Sequence, residues 1–203
     1  MAQKFVWDDA LLLDDQLSEE ERQIRDSIAN FAQAELMPRI LKWNREETFD
    51  PDIMKEFGSL GILGATIPDY GCAGIGRVAY GLACRELERV DTAFRSAVGV
   101  QTGLAMSAIY DFGSPEQKDR FLPGMREGTL IGCFGLTEPD HGSDAGALQT
   151  RAKSCDGGYK LNGTKVWITH SPVAHLLIVW ARDDAGSIGG FILERGMKGL
   201  ETP

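Results

Sequence analysis

The sequence predicts an α+β chain, helical over residues 1–128 and followed by a β-sheet domain of barrel or sandwich type over 129–203. Three observations predict it. Apolar residues recur at helical spacing as far as Arg126, and two Ser-x-x-Glu/Gln capping boxes punctuate them. Beyond Gly128 the apolar residues fall into short runs bounded by turn formers. Asn162-Gly163 then stands between two strand-like runs, and Asn-Gly suits the two positive-φ positions of a type I′ hairpin turn.

The elements follow in order. Ser18-Glu19-Glu20-Glu21 is a capping box, its acidic run a solvated helix start, and Ile24, Ile28, Phe31, Leu36 and Ile40 form the apolar stripe behind it. Pro38 predicts a kink or a new segment, because it has no N–H to give. Asp50-Pro51 predicts an N-cap with proline at the first helical position, and Gly58 or Gly61 a stop. Gly71, Gly74 and Gly76 mark a loop. A helix over 78–90 presents Leu82, Leu87 and Val90. Asp91 or Thr92 caps the next helix, which runs to about Tyr110 and ends at Gly113. Ser114-Pro115-Glu116-Gln117 opens another to about Arg126. Strands are predicted over 131–136, 159–161 and 164–169. Two more, over 176–181 and 188–193, are joined at Asp183-Asp184-Ala185-Gly186.

The chain has 203 residues, 43% hydrophobic and 25% charged, which is ordinary globular composition. Lys and Arg number 21 against 30 Asp and Glu, a net charge of −9. That balance argues against nucleic acid or an anionic membrane as partner. Residues 1–14 show neither a basic start nor a long apolar run, so no targeting or spanning segment is expected. The expectation is a cytoplasmic protein of bacterial type, or a mitochondrial matrix protein if mature and eukaryotic. Cys72, Cys84, Cys133 and Cys155 form no C-x-x-C pair and read as small apolar fillers. His141, His170 and His175 lack metal-ligand spacing, so no metal is expected. The spacing of Gly71, Gly74 and Gly76, between helices, is not a dinucleotide fingerprint.

Three places stand out chemically. Arg95-Ser96 falls in the first turn of a helix, where a cation opposes the dipole. It could receive a carboxylate together with the helix N–H groups, or pair with Glu86, Glu88 or Asp91. The loop over 137–144, Thr-Glu-Pro-Asp-His-Gly-Ser-Asp, follows a strand and is dense in donors; it could wrap a polar cofactor or be an ordinary turn. It is neither a P-loop nor a nucleophile elbow. Trp167 could be a flat wall for a ring system, with Thr169 on the same strand face, or a core tryptophan beside an exposed threonine.

Phe134-Gly135-Leu136-Thr137-Glu138-Pro139 followed by Gly142-Ser143-Asp144 resembles the flavin-binding signature of acyl-CoA dehydrogenases. Leu161-Asn162-Gly163-Thr164-Lys165 and Trp167-Ile168-Thr169 resemble that family's second flavin segment, in the right order and at the right distance. The likeness extends over the whole chain, including Gly113 to Lys118. Arg85 to Asp91 with Phe94-Arg95-Ser96, Met37 to Ile40 and Tyr70 to Gly74 resemble the glutaryl-CoA dehydrogenases within the family.

The resemblance implies an acyl-CoA dehydrogenase fold and FAD as cofactor. Phe134, Gly135, Leu136, Thr137, Glu138, Gly142 and Ser143 would line the flavin and its pyrophosphate, with Thr137 at the polar edge. Trp167, Ile168 and Thr169 would cover the ring, Thr169 near N5. Arg95 and Ser96 would take the distal carboxylate of glutaryl-CoA, and Ser143 would reach the acyl-CoA. His170 and Ala145 depart from the usual Asn or Ser and Pro. The implied reaction is α,β-dehydrogenation with loss of CO2, giving crotonyl-CoA, with electrons passing to an electron-transfer flavoprotein. The family's base is a glutamate of a C-terminal helical bundle. The chain is therefore expected to hold no catalytic base and to correspond to part of a homotetrameric enzyme. Glu138 and Asp144 are the carboxylates nearest the cofactor segments that could be asked to replace it.

Overall fold

The structure is a computed structural model that describes Phe5 and residues 7–202. Met1 to Lys4 and Val6, part of the stretch read as free of targeting character, lie outside the described residues. The helices are α1 (Glu19–Phe31), α2 (Met37–Glu46), α3 (Ile53–Ser59), α4 (Arg77–Glu88), α5 (Thr92–Gly99), α6 (Ser107–Phe112) and α7 (Pro115–Arg126). The chain divides into two compact units, Met1–Phe49 with Ile75–Arg95, and Asp50–Gly74 with Ser96–Pro203.

In the first unit both halves of the Ser18 capping box form. Ser18 Oγ accepts the Glu21 N–H at 3.2 Å, and Glu21 Oε2 accepts the Ser18 N–H at 2.8 Å. The helix then widens into one π turn, Ala32–Leu36, and Pro38 sits in the first turn of α2. Pro38 thus begins a new segment, since an uninterrupted α-helix would have asked it for an N–H. α4 packs on α1. Its buried face is Ala79, Ala83, Glu86 and Leu87, while Leu82 and Val90 are only half-buried. Of the predicted stripe only Leu87 is fully buried, and the small side chains of Ala79 and Ala83 take the places expected for Leu82 and Val90. Asp91 caps α5, its Oδ1 accepting the Ala93 N–H at 2.8 Å.

In the second unit the first helix begins two residues later than predicted. Asp50 Oδ1 accepts the Asp52 N–H at 3.0 Å, but α3 starts only at Ile53. α5 leads through a π turn, Val100–Met106, into α6, which ends at Gly113, so the predicted helix exists with a widened middle. The Ser114 capping box of α7 is complete.

The sheet is mixed. β1 (Gly132–Gly135) runs parallel to β4 (Leu176–Arg182), and β5 (Ile188–Glu194) pairs antiparallel along the whole of β4. β2 (Arg151–Cys155) and β3 (Gly158–Asn162) form a hairpin that joins β4 at Arg151 and Arg182. Alternation along the strands separates two apolar layers. Leu176 and Ile178 join Met106, Ile109, Leu122 and Met125, whereas Cys133, Leu177 and Val179 gather with Ala174 on the other face.

The predicted hairpin is a correction. The turn lies at Asp156-Gly157, where Gly157 has φ +80°, and Asn162-Gly163 ends β3 instead. A Cβ on Gly163 would come within 2.3 Å of Thr150 Oγ1, so this glycine serves a close approach. Residues 164–169 are not a strand. Cys155 is exposed, against its reading as a filler, whereas Cys133 is buried and its thiol is pushed up to about 12 by that burial. Among the described residues no helix is long and apolar enough to cross a membrane, and none group as metal ligands.

One buried amide ties helix to sheet. Gln101 Nε2 donates to the Met125 and Leu130 carbonyls at 2.9 and 2.8 Å, and its Oε1 accepts the Gly132 N–H at 2.8 Å. In a Gln101→Leu variant the Met125 carbonyl keeps the Gly128 N–H. Gly132 N–H, which is buried, and the Leu130 carbonyl, which is partly buried, lose their partner. Two orphaned groups predict a loss of about 3 kcal/mol, read as a lower urea midpoint; an unchanged midpoint would show that the amide holds nothing.

Candidate functional site

β1 delivers the chain to Leu136, and the next three residues are held by one buried ion pair. Lys165 Nζ donates to the Leu136 carbonyl at 2.9 Å and to Glu138 Oε1 at 2.8 Å. Val166 N–H donates to the Thr137 carbonyl at 3.0 Å. Glu138 is 5% exposed and accepts from Lys165, from the N–H groups of Gln149 and Thr150, and from the Thr150 hydroxyl at 2.5 Å. Its backbone exchanges two hydrogen bonds with His141 across Pro139-Asp140, which turns the loop back on itself. Burial pushes the Glu138 carboxyl upward, but the donors from Lys165, Thr150 and Gln149 outweigh it and hold the group down at about 2. This carboxylate has no capacity left for a ligand, and it is too weak a base to take a proton. Glu138 therefore acts by shaping the loop.

The segment after Lys165 is strained at two non-glycine residues. Trp167 has φ +58° and His170 φ +71°, conformations that cost of order 1–3 kcal/mol each. Trp167 is 92% exposed, which removes the core-tryptophan alternative. The same-face argument for Thr169 fails because the segment is not extended, although Thr169 is exposed. Between them Ile168 turns inward against the layer of Cys133, Ala174, Leu177 and Val179. His170 is buried and its Nδ1 lies 3.1 Å from the Gly132 carbonyl, which can only accept, so Nδ1 carries the proton. Burial lowers its pKa and favours the neutral ring. The Trp167-Ile168-Thr169 turn is thus tied at one end to the loop that leaves β1, through Val166, and at the other to β1 itself, through His170.

The other predicted residues divide. Leu136, Thr137 and Glu138 meet Lys165 and Val166 directly. Gly142 and Ser143 are exposed at the loop, and a Cβ on Gly142 would meet open space. The Phe134 side chain faces away from Ile168: its ring lies 5.7 Å from Trp180, in the layer of Met106 and Met125 on the opposite face of β1. A cleft of about 300 Å³ lies beside the loop, lined by Pro139, His141, Gln149, Arg151, Asn162 and Thr164 among others. An exposed indole, nearby hydroxyls and unhindered loop backbone suit a flat ring system carrying polar and anionic groups.

Arg95, in the first unit, is 42% exposed, and its Nε donates to Glu88 Oε2 at 2.6 Å. Thr92 Oγ1 donates to the other oxygen of Glu88 at 2.6 Å. This is one of the pairings that the sequence left open. Ser96, the next residue of α5, is half-buried. Gln101, Lys165 and Thr150 were not predicted as site-shaping residues. Lys165 lies inside a recognisable segment, but nothing local shows that its partner sits 27 positions earlier.

Two family models match the chain: the acyl-CoA dehydrogenase N-terminal domain over residues 18–129 and the acyl-CoA dehydrogenase middle domain over 133–203. A 2-methylacyl-CoA dehydrogenase of Solanum tuberosum mitochondria is 37% identical over 98% of the chain and 49% of its own length. A crystal structure of glutaryl-CoA dehydrogenase from Mycobacterium smegmatis superposes with a TM-score of 0.91 at 48% identity, over 94% of this chain and 50% of that one. A structure of a glutaryl-CoA dehydrogenase of the same organism in complex with FADH2 gives 0.90 at 45% identity, over 92% and 48%. The chain spans about half the length of the relatives it matches.

The sign of the Glu138 effect is fixed by its lowered pKa. Its contribution is complete above the ordinary carboxylate value near 4.5 and is lost as pH falls toward about 2. The difference corresponds to about 3 kcal/mol. Glu138→Gln should lower the urea midpoint strongly at pH 7, and the gap to the wild type should narrow between pH 5 and pH 3. A gap independent of pH would contradict the assignment.

Proposed function

The chain belongs to the acyl-CoA dehydrogenase family, and from that premise we propose that it supplies the flavin wall and the carboxylate anchor of a glutaryl-CoA dehydrogenase. The strained, exposed Trp167 carries the flavin reading: an indole held in solvent on an unfavourable backbone makes sense as a surface for a flat ligand. Trp167 covers FAD, Ile168 supports that turn from the apolar layer beneath it, and Thr137 and Thr169 hydrogen-bond the polar edge of the flavin. Gly142 and Ser143 take its phosphates, with Ser143 also reaching acyl-CoA, while Gly135 and Leu136 bring the backbone up to it. Phe134 supports this edge from the opposite face of β1, and Glu138 supports it from within.

When bound, FAD supplies a two-electron acceptor for the hydride that leaves Cβ of the acyl chain. Arg95 and Ser96 hold the distal carboxylate, which orients the chain and is later lost as CO2 to leave crotonyl-CoA. The base that removes the α-proton is not among residues 1–203 in this reading, and Glu138 is unsuited to the task. Transfer of electrons to an electron-transfer flavoprotein and a homotetrameric assembly belong to the proposal for the whole protein.

A second reading, a dehydrogenase of a monocarboxylic short-chain acyl-CoA, draws on the Solanum relative and on the Arg95–Glu88 pair. A third is a non-catalytic flavin- and acyl-CoA-binding chain, which would take up FAD yet reduce no dye with any acyl-CoA even within the full-length protein.

The chain mixed with FAD should show bound flavin absorbance, and Trp167→Ala should weaken binding about tenfold, about 1.4 kcal/mol of lost ring contact. A colourless chain would sink the flavin reading. Arg95→Ala should weaken glutaryl-CoA about thirtyfold, the loss of about 2 kcal/mol from a charge-assisted bond, and leave pentanoyl-CoA unaffected. Equal losses, or none, would favour the monocarboxylic reading.

A further inference from the structure

The most heavily bonded side chain of the second unit among the described residues, Glu138, is buried with its partner Lys165 and does not face a ligand. Lys165 is 10% exposed and Glu138 5%, yet neither spends its hydrogen bonds on its partner alone. Lys165 also grips the Leu136 carbonyl, and Glu138 also gathers Gln149 and Thr150. A buried ion pair is a poor source of net stability compared with apolar groups of equal volume, because both charges must be desolvated. Its use is better sought in what it orients.

What it orients is one peptide plane. The Leu136–Thr137 bond is trans, so its N–H points opposite to its carbonyl. Lys165 fixes the carbonyl on one side, and the Thr137 N–H is thereby aimed away from the pair. No acceptor among the described residues takes that N–H. The following carbonyl, of Thr137, is held by Val166, the residue before Trp167. One pair therefore sets both a backbone donor on the loop and the start of the turn that carries the exposed indole.

We propose that Lys165 and Glu138 are positioning residues that aim the Thr137 N–H and seat the Trp167 turn for the bound ring, without touching the ligand. The proposal rests on the flavin reading above for its ligand, but the orientation of the peptide is testable without one.

The experiment uses the full chain and three variants: Lys165→Met, Glu138→Gln, and the two combined. The double variant removes both charges together and leaves neither unpaired, so it guards against simple unfolding. Its dissociation constant for FAD should rise at least tenfold at a urea concentration of zero, where its circular dichroism matches the wild type. Amide hydrogen exchange at Val166 should quicken at least tenfold in the same variant, while Leu177 to Val179 stay as protected as before. FAD affinity within twofold of the wild type with Val166 still protected would overturn the proposal. If the wild-type chain takes up no FAD, the flavin reading fails, and Val166 exchange alone decides: faster in the double variant supports the positioning role, unchanged overturns it.

Discussion

Five donated hydrogen bonds converging on the Glu138 side chain and backbone, with Lys165 as the counter-charge, are the constraint on which the site depends. A carboxylate this buried is costly unless its lone pairs are filled. The donors come from three separated stretches: Gln149 and Thr150 ahead of β2, Lys165 beyond β3, and His141 within the loop. Satisfying the charge thus forces these stretches together. The loop that leaves β1 is then defined by electrostatics and not by an apolar anchor, which leaves its outer side open. Loop backbone that must face a polar ligand can be ordered in this way without being covered.

At the other end of β1 the logic is the same with a neutral group. Gln101 sits where the helix has widened into a π turn, and its amide satisfies the Gly132 N–H as the strand begins. His170 then takes the Gly132 carbonyl. Gly132 is hydrogen-bonded on both sides by side chains, and a Cβ there would strike Met125 and Ala105 at 2.7 and 2.8 Å. The short strand is located by these contacts as much as by its ladder with β4. That anchoring lets the turn at 167–170 carry two left-handed residues, since strain persists only where the surroundings over-determine it.

The helical half was legible because its signals are local. Ser18 and Ser114 with the residues three later, Asp91 two residues before the amide it caps, and Pro38 act within one turn of chain. The β-half misled because its signals are not. Asn162-Gly163 has the composition of a hairpin turn, yet Gly163 is there to let the backbone pass Thr150, and Asp156-Gly157 makes the turn. Both dipeptides fit by propensity, and only tertiary packing chooses between them. The motif residues were recognisable as a set, but their division of labour was not. Glu138 reads as a loop carboxylate until its partners 11 to 27 residues away are known, and Phe134 until the side of the sheet it takes is known.

Arg95 shows how a structural and a functional explanation of one residue can coexist. Its pairing with Glu88 looks like the ordinary account of a surface arginine. Yet exposed ion pairs contribute only about 0–1 kcal/mol, so sharing or displacing Glu88 costs an incoming anion little. The contact also uses Nε, while a guanidinium offers five donors in a planar fork. Thr92 on the far oxygen of Glu88 steadies the carboxylate, and through it the arginine, at the start of α5. A cation held there against the helix dipole is less neutralised than its salt bridge suggests. On a chain of net charge −9, which repels anions at long range, the proposed selection of one carboxylate would fall to such a short-range, prearranged group.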